Sequence, residues 1–186
     1  MESSVDQVGS PSPLSFVALD FETANRSHAS ACAVAAVQVL SRKIVRTQKF
    51  VLDPGAVAFE FSAIHGITRE HAAAGVRFDD AWREIEPLVQ EAGFVIVAHN
   101  AKFDRRVLQV AAGRHGIRLP KLKFICSRNL AEAVWGLRPN DLATVAAHLG
   151  ISLAHHDPLS DAEAAARIVL AAEDEKLGRL AKEVQG

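Results

Sequence analysis

The segment Phe16-Val17-Ala18-Leu19-Asp20-Phe21-Glu22-Thr23 runs four apolar residues into two acids separated by a phenylalanine. Such a run reads as a strand buried on both faces. Residues i and i+2 of a strand share a face, so Asp20 and Glu22 stand side by side at its end. Neighbouring carboxylates repel, and burying them costs more. A chain that carries this segment must supply a compensating charge at that place.

The elements that follow set the architecture. Cys32 to Leu40 and Lys43 to Leu52 read as strands joined by the short polar turn Ser41-Arg42. So short a link forces antiparallel pairing. Asp53-Pro54-Gly55 breaks the chain, and Ile67 to Ala74 reads as a short helix after Gly66. Phe78 to Glu91 carries Trp82, Ile85, Leu88 and Val89 at helical spacing, with Pro87 predicting a kink or an early end. Phe94 to Ala98 is a continuous apolar strand, Ala101 to Gly113 a helix, and Phe124 to Cys126 a short fifth strand. Helices are expected over Asn129 to Trp135, Asp141 to Leu149 and Asp157 to Glu183. The fold class is α/β: a five-stranded mixed sheet, an antiparallel three-stranded meander followed by parallel strands, flanked by helices.

Composition narrows the setting. The 186 residues, 49% hydrophobic and 23% charged, suit one globular domain, expected over residues 16–183 behind a disordered, Ser/Pro/Gly-containing tail over residues 1–15. That tail lacks the basic start and apolar block of a secretory signal. No apolar run reaches the ~20 residues of a membrane span. Cys32 and Cys126 form no CxxC pair and read as core thiols of a reducing compartment, so a cytoplasmic location is expected. A net charge of −1 argues against a long, passive electrostatic binder of nucleic acid, but not against an enzyme that grips a few nucleotides.

Two further acidic sites fall where elements begin. Asp104, in His99-Asn100-Ala101-Lys102-Phe103-Asp104, lies on the first turns of the helix leaving the FVIVA strand. The third site is His155-His156-Asp157-Pro158-Leu159-Ser160-Asp161, where Asp157 caps a helix and Pro158 takes its first position. His156 and Asp161 then occupy the two positions whose side chains meet in a hydrophobic staple. Singly, a strand-end DxE is a solvated turn and an HDP is a cap. If the three sites converge, four carboxylates and a histidine face one pocket. Divalent cations resolve the repulsion, and all-oxygen ligands suit Mg²⁺ or Mn²⁺. Two ions ~3.5–4 Å apart can clamp the attacking and leaving oxygens of a phosphoryl displacement, and a neutral histidine beside them can accept a proton.

These motifs, LDFET, AHNAKFD and HHDPLSDAEAA, resemble those of the DEDDh 3′–5′ exonucleases of the RNase H-like fold, notably proofreading subunits of bacterial DNA polymerase III and their free-standing relatives. FSAIHGIT (Phe61 to Thr68) resembles a substrate-contacting stretch of the proofreading branch. The resemblance implies two divalent cations, Mg²⁺ or Mn²⁺, held by Asp20, Glu22, Asp104 and Asp161, with His156 as general base. The sister class uses a tyrosine in that role, and this chain has none. Thr23, Ala24, Ile64, His65, Asn100 and Phe103 match positions that meet the terminal nucleotide. The implied activity is removal of nucleoside 5′-monophosphates from a single-stranded or frayed 3′ end, with DNA favoured over RNA by the IHGIT stretch and association with a DNA polymerase allowed. The alternatives are an RNA-directed 3′–5′ exonuclease and a non-catalytic nucleic-acid-binding module.

Overall fold

The computed structural model describes residues 14–185, with side chains as far as residue 177. In it the acid-ended segment becomes the central strand. β1 (Phe16–Thr23) pairs antiparallel with β2 (Ala31–Leu40) and parallel with β4 (Val95–Ala98). β3 (Lys43–Val51) and β5 (Lys123–Cys126) form the edges of a five-stranded sheet ordered β3-β2-β1-β4-β5. The antiparallel meander and the parallel strands fall where the sequence puts them, with one end of each strand shifted by one residue. Of the expected tail, residues 1–13 lie outside the described residues. Leu14 and Ser15 hold the β2–β3 turn, accepting hydrogen bonds from the N–H of Arg42 (2.9 Å) and of Ser41 (3.1 Å).

Strand alternation sorts β1 into two faces. Val17, Leu19 and Phe21 pack on α3 (Phe78–Glu91) and α4 (Ala101–Arg114), through Trp82, Ile85, Leu88, Val107 and Leu108. Phe16 and Ala18 face α7 (Pro158–Gln185) and meet Ala162, Ala165, Ala166 and Val169. α5 (Ser127–Trp135) and α6 (Leu142–Leu149) pack on the outer side of α7 through Ala131, Leu142, Val145, Ala164 and Ile168. Each fully buried Ile or Leu contributes about 1.5–3 kcal/mol of transfer free energy. A sheet covered on both faces thus explains why β1 and β4 are apolar without alternation.

Two expectations change. The helix expected over Ile67 to Ala74 is present in shortened form as α2 (Arg69–Ala73), and an unforeseen one-turn helix, α1 (Ser62–His65), precedes it. Gly66 ends α1 at φ +74°, and Thr68 starts α2 with a reciprocal capping box to His71, leaving Ile67 buried between them. A four-residue helix shows no periodicity to read. Pro87 neither ends nor shortens α3, which continues to Glu91. The loss of one backbone bond at Pro87 is outweighed by the buried Trp82, Ile85, Leu88 and Val89 on either side. Among the described residues no helix is long and apolar enough to cross a membrane.

Among the described glycines, Gly75 makes the tightest backbone approach, between the end of α2 and the end of β3. A Cβ there would stand 2.5 Å from the Val51 carbonyl oxygen and 3.0 Å from that of Ala72. Both neighbours are backbone, so neither yields cheaply. Gly75→Ala is expected to lower the unfolding free energy by about 1–3 kcal/mol, read as a shift in urea midpoint without a change in slope.

Candidate active site

The register of β1 delivers the first acids. Asp20 and Glu22 continue the Phe16/Ala18 face toward the start of α7, and their cross-strand partners are Ala35 and Ala33. Small residues opposite the acids leave the space above the strand end to the carboxylates. Because β1 and β4 are parallel, their carboxyl ends lie on one edge of the sheet, beside the start of α4. Ligand sites of open α/β sheets form at that edge.

Asp104 reaches the strand from the first turn of α4. Its carboxylate is 2% exposed and accepts the Phe21 N–H at 3.2 Å. Asn100 precedes this helix in a left-handed conformation, φ +75°, which turns the chain sharply from β4 into α4. Asp161 comes from the first turn of α7, which Asp157 caps by accepting from the N–H groups of Leu159 and Ser160 (2.9 and 3.2 Å). A cap of this kind contributes about 1 kcal/mol. Oxygens of Asp20, Glu22 and Asp161 all lie within 4.8 Å of one another. The structure therefore brings together acids that are 141 positions apart at the extremes.

The histidine pair departs from the staple geometry. His156 meets Asp161 through its backbone: its N–H donates to Oδ2 at 3.1 Å. The imidazole on that oxygen belongs to His155, whose Nδ1 is 3.1 Å away. The two rings stack with centroids 3.9 Å apart. His156 sits at φ +68°, a region that L side chains enter at a cost. Its loop is held by the Lys49–Asp157 ion pair, by Asp157 N–H on the Ala154 carbonyl, and by Ala154 N–H on Ser160 Oγ. Lys49 lies 108 residues from Asp157, and no local sequence signal links them; its place as the last lysine of an edge strand beside the histidine loop emerges only from the fold.

The other candidates divide. Ile64, 51% exposed, and His65 line a cleft of about 390 Å³ with Lys49, His155 and His156. His65 also locks the strand end: its Nδ1 accepts the Ile67 N–H, so its Nε2 donates to the Thr23 carbonyl at 3.2 Å. Asn100 and Phe103 line a second cleft, where Phe103 packs 5.7 Å from the His28 ring. Thr23 and Ala24 are buried. Ala24 commits its N–H to Ser30 and its carbonyl to Glu60 and Phe61, so its side chain is not brought into either cleft.

Electrostatics decides what this arrangement can hold. Desolvation, then the charges of Asp104, Asp161, Glu22 and Asp157, pushes Asp20 well above the usual carboxylate range. Burial, with Asp161 and Asp157, lifts Glu22 to about 7, and burial lifts Asp104 to about 8 despite the Phe21 N–H. Asp161 is raised by burial too. At an effective dielectric of about 20, two carboxylates under 5 Å apart repel by on the order of 3–4 kcal/mol. Three such pairs match the whole stability of an ordinary domain, about 5–15 kcal/mol. The group is stable only if it is protonated or shares a cation. Its donors are all carboxylate oxygens, which fits a hard divalent ion. His156, by contrast, is lowered by desolvation and by His155, which keeps a neutral imidazole beside the acids at neutral pH.

Comparison with known proteins agrees with this geometry. The family model described as "Exonuclease" (RNase T) matches residues 17–169. A PolC-type DNA polymerase III of Streptococcus suis (strain 98HAH33) is 27% identical over 163 residues, covering 85% of this chain and 11% of the polymerase. The chain thus spans about a tenth of that relative's length. Exonuclease X, solved with 5′-overhanging duplex DNA, superposes with a TM-score of 0.68 at 22% identity, covering 86% of this chain and 91% of that one. A 3′-exonuclease solved for its recognition of the histone mRNA stem-loop gives 0.73 at 14% identity, covering 87% and 82%. At such identities the two likenesses speak to the fold. With the family model running from β1 into α7, the chain belongs to the exonuclease family, on an RNase H-like fold.

Proposed function

We propose that this protein shortens DNA from the 3′ end, releasing nucleoside 5′-monophosphates with the help of two divalent cations, Mg²⁺ or Mn²⁺. The observation that carries this reading is the convergence of Asp20, Glu22 and Asp161 within 4.8 Å, with Asp104 bound to the same strand end. Asp20, Glu22, Asp104 and Asp161 would hold the ions, which would supply positive charge against the oxygens of the phosphoryl displacement.

The chain's own groups do the rest. His156, neutral at working pH, accepts the proton of the attacking water. His155 braces Asp161 and, stacked on His156, fixes the plane of that ring. Ile64 offers an exposed apolar surface to the terminal base, and His65 holds the Thr23 carbonyl so that the strand end keeps its shape. Asn100 and Phe103 border the sugar side, while the buried Thr23 and Ala24 hold the end of β1 in place from behind. The Exonuclease X neighbour bound to 5′-overhanging duplex DNA and the PolC-type relative support a DNA 3′ end as substrate, and association with a polymerase. The neighbour that recognises a histone mRNA stem-loop supports RNA as the second reading; contacts to the 2′-OH separate the two.

Digestion of a 3′-labelled DNA strand, beside the matched RNA, tests this. Asp20→Asn should leave no turnover. His156→Ala should lower kcat by about 10²–10⁴, whereas His155→Ala should lose much less. Equal rates for wild type and His156→Ala would reject the assignment.

The raised acids also predict a pH signature of the metal-free protein. Carboxyls near 7 and 8 keep protons in the folded state that the unfolded chain releases near pH 4. Their stabilising effect is complete below that pH and is lost as pH rises through 7 to 8. His65, His99 and His156, held neutral by desolvation, work oppositely, but their effect is complete near pH 7. In EDTA, Tm should therefore fall between pH 7 and 8.5, and Asp104→Asn should flatten the fall. Mn²⁺ at about 100 times its Kd should add about 2.7 kcal/mol, or roughly 5–10 °C, and more at pH 8 than at pH 6. A metal-free Tm that stays level over this range would contradict the site electrostatics.

A further inference from the structure

Beyond the catalytic cleft, the exposed face of α4 is unusually basic. The helix carries Lys102, Arg105, Arg106 and Arg114 against one acid, Asp104, which is buried in the site. The chain as a whole is at −1, so this is a local excess. Lys102, Arg105 and Arg106 are exposed, stand at i, i+3 and i+4, and line one cleft of about 530 Å³ with His28, Asn100 and Phe103. No acid lines that cleft. None of the three cations forms an ion pair with a described residue; Arg105 lies over the Phe124 ring.

Their position makes them costly. Cations in the first turns of a helix oppose its dipole, and three of them crowd one another. An external anion relieves both effects. The cleft is bounded at one end by Asn100 and Phe103, at the turn from β4 into α4 that also carries Asp104.

We infer that Lys102, Arg105 and Arg106 bind the sugar-phosphate backbone of the strand 5′ to the terminal nucleotide, giving the enzyme a grip that grows with substrate length. This deepens the reading of the chain as a 3′-end exonuclease and rests on it. The cleft accommodates a backbone track and not a base pocket: its charge is spread along just over one helical turn, and its one ring pair, His28 and Phe103, already packs on itself in a tilted contact at 5.7 Å.

The test compares wild type with K102Q/R105Q/R106Q and with the charge-preserving K102R/R105K/R106K. Two substrates are used, a 20-nucleotide single strand and p-nitrophenyl thymidine 5′-monophosphate, which fills only the catalytic cleft. The Gln variant should raise KM for the 20-mer roughly tenfold at low salt and flatten the slope of log affinity against log salt by about 2. KM for the ester should change less than twofold, and the charge-preserving variant should behave as wild type on both. Equal loss on both substrates, or no loss on the 20-mer, overturns the proposal. Anisotropy of the labelled 20-mer reads the same slope without turnover. A wild type that hydrolyses neither substrate therefore sinks the exonuclease reading alone, while an unchanged slope sinks this one.

Discussion

Crowding of carboxylates at the end of a buried strand is the constraint from which the rest follows. Asp20 and Glu22 are near one another by register alone, and β1 cannot move outward to relieve them because it is the middle of the sheet. The fold adds Asp104 and Asp161 to the same place. Each addition makes the apo state worse and a doubly charged ligand more welcome. The core on both sheet faces is what lets the protein tolerate this: Val17, Leu19 and Phe21 on one side and Phe16 and Ala18 on the other fix the strand while its last residues carry the conflict.

The architecture assigns each acid a different kind of support. Asp20 and Glu22 rest on strand pairing opposite Ala35 and Ala33. Asp104 is aimed by a helix that starts from a left-handed Asn100 and is anchored by the Phe21 N–H. Asp161 depends on the cap of α7 and on the loop before it. Hence the strand acids are as rigid as the sheet, whereas the histidine side of the site is positioned by polar contacts. Nearby, His99 bridges Ser127 Oγ and the Asn140 carbonyl, at 3.0 and 3.1 Å. It fastens the end of β4 to α5 and keeps the turn into α4 in place.

Much of this was legible in the chain itself. The apolar run into DxE, the NAKFD start of a helix and the HHDPLSD cap are local patterns, and their order fits one topology. The four acids were nameable for that reason. What could not be read was set by contacts distant in sequence. The staple positions of His156 and Asp161 are occupied as expected, but a positive φ at His156 sends its N–H to the carboxylate and leaves the ring contact to His155. α1 is too short to leave a periodic trace, and Pro87 misled because burial on both sides of it outvotes one missing hydrogen bond. Lys49 carried no signal at all until β3 and α7 were side by side.

The loop from Ala154 to Asp157 has a consequence for how such a protein ages under stress. Ala154 and His155 are exposed, and the segment is tethered by a solvent-accessible ion pair and a few single hydrogen bonds, with little apolar anchorage of its own. Segments fastened in this way detach well before the surrounding sheet gives way. Warming or concentrated salt would therefore free these four residues while the sheet and its helices stayed folded, a local melting at one rim of the carboxylate cluster.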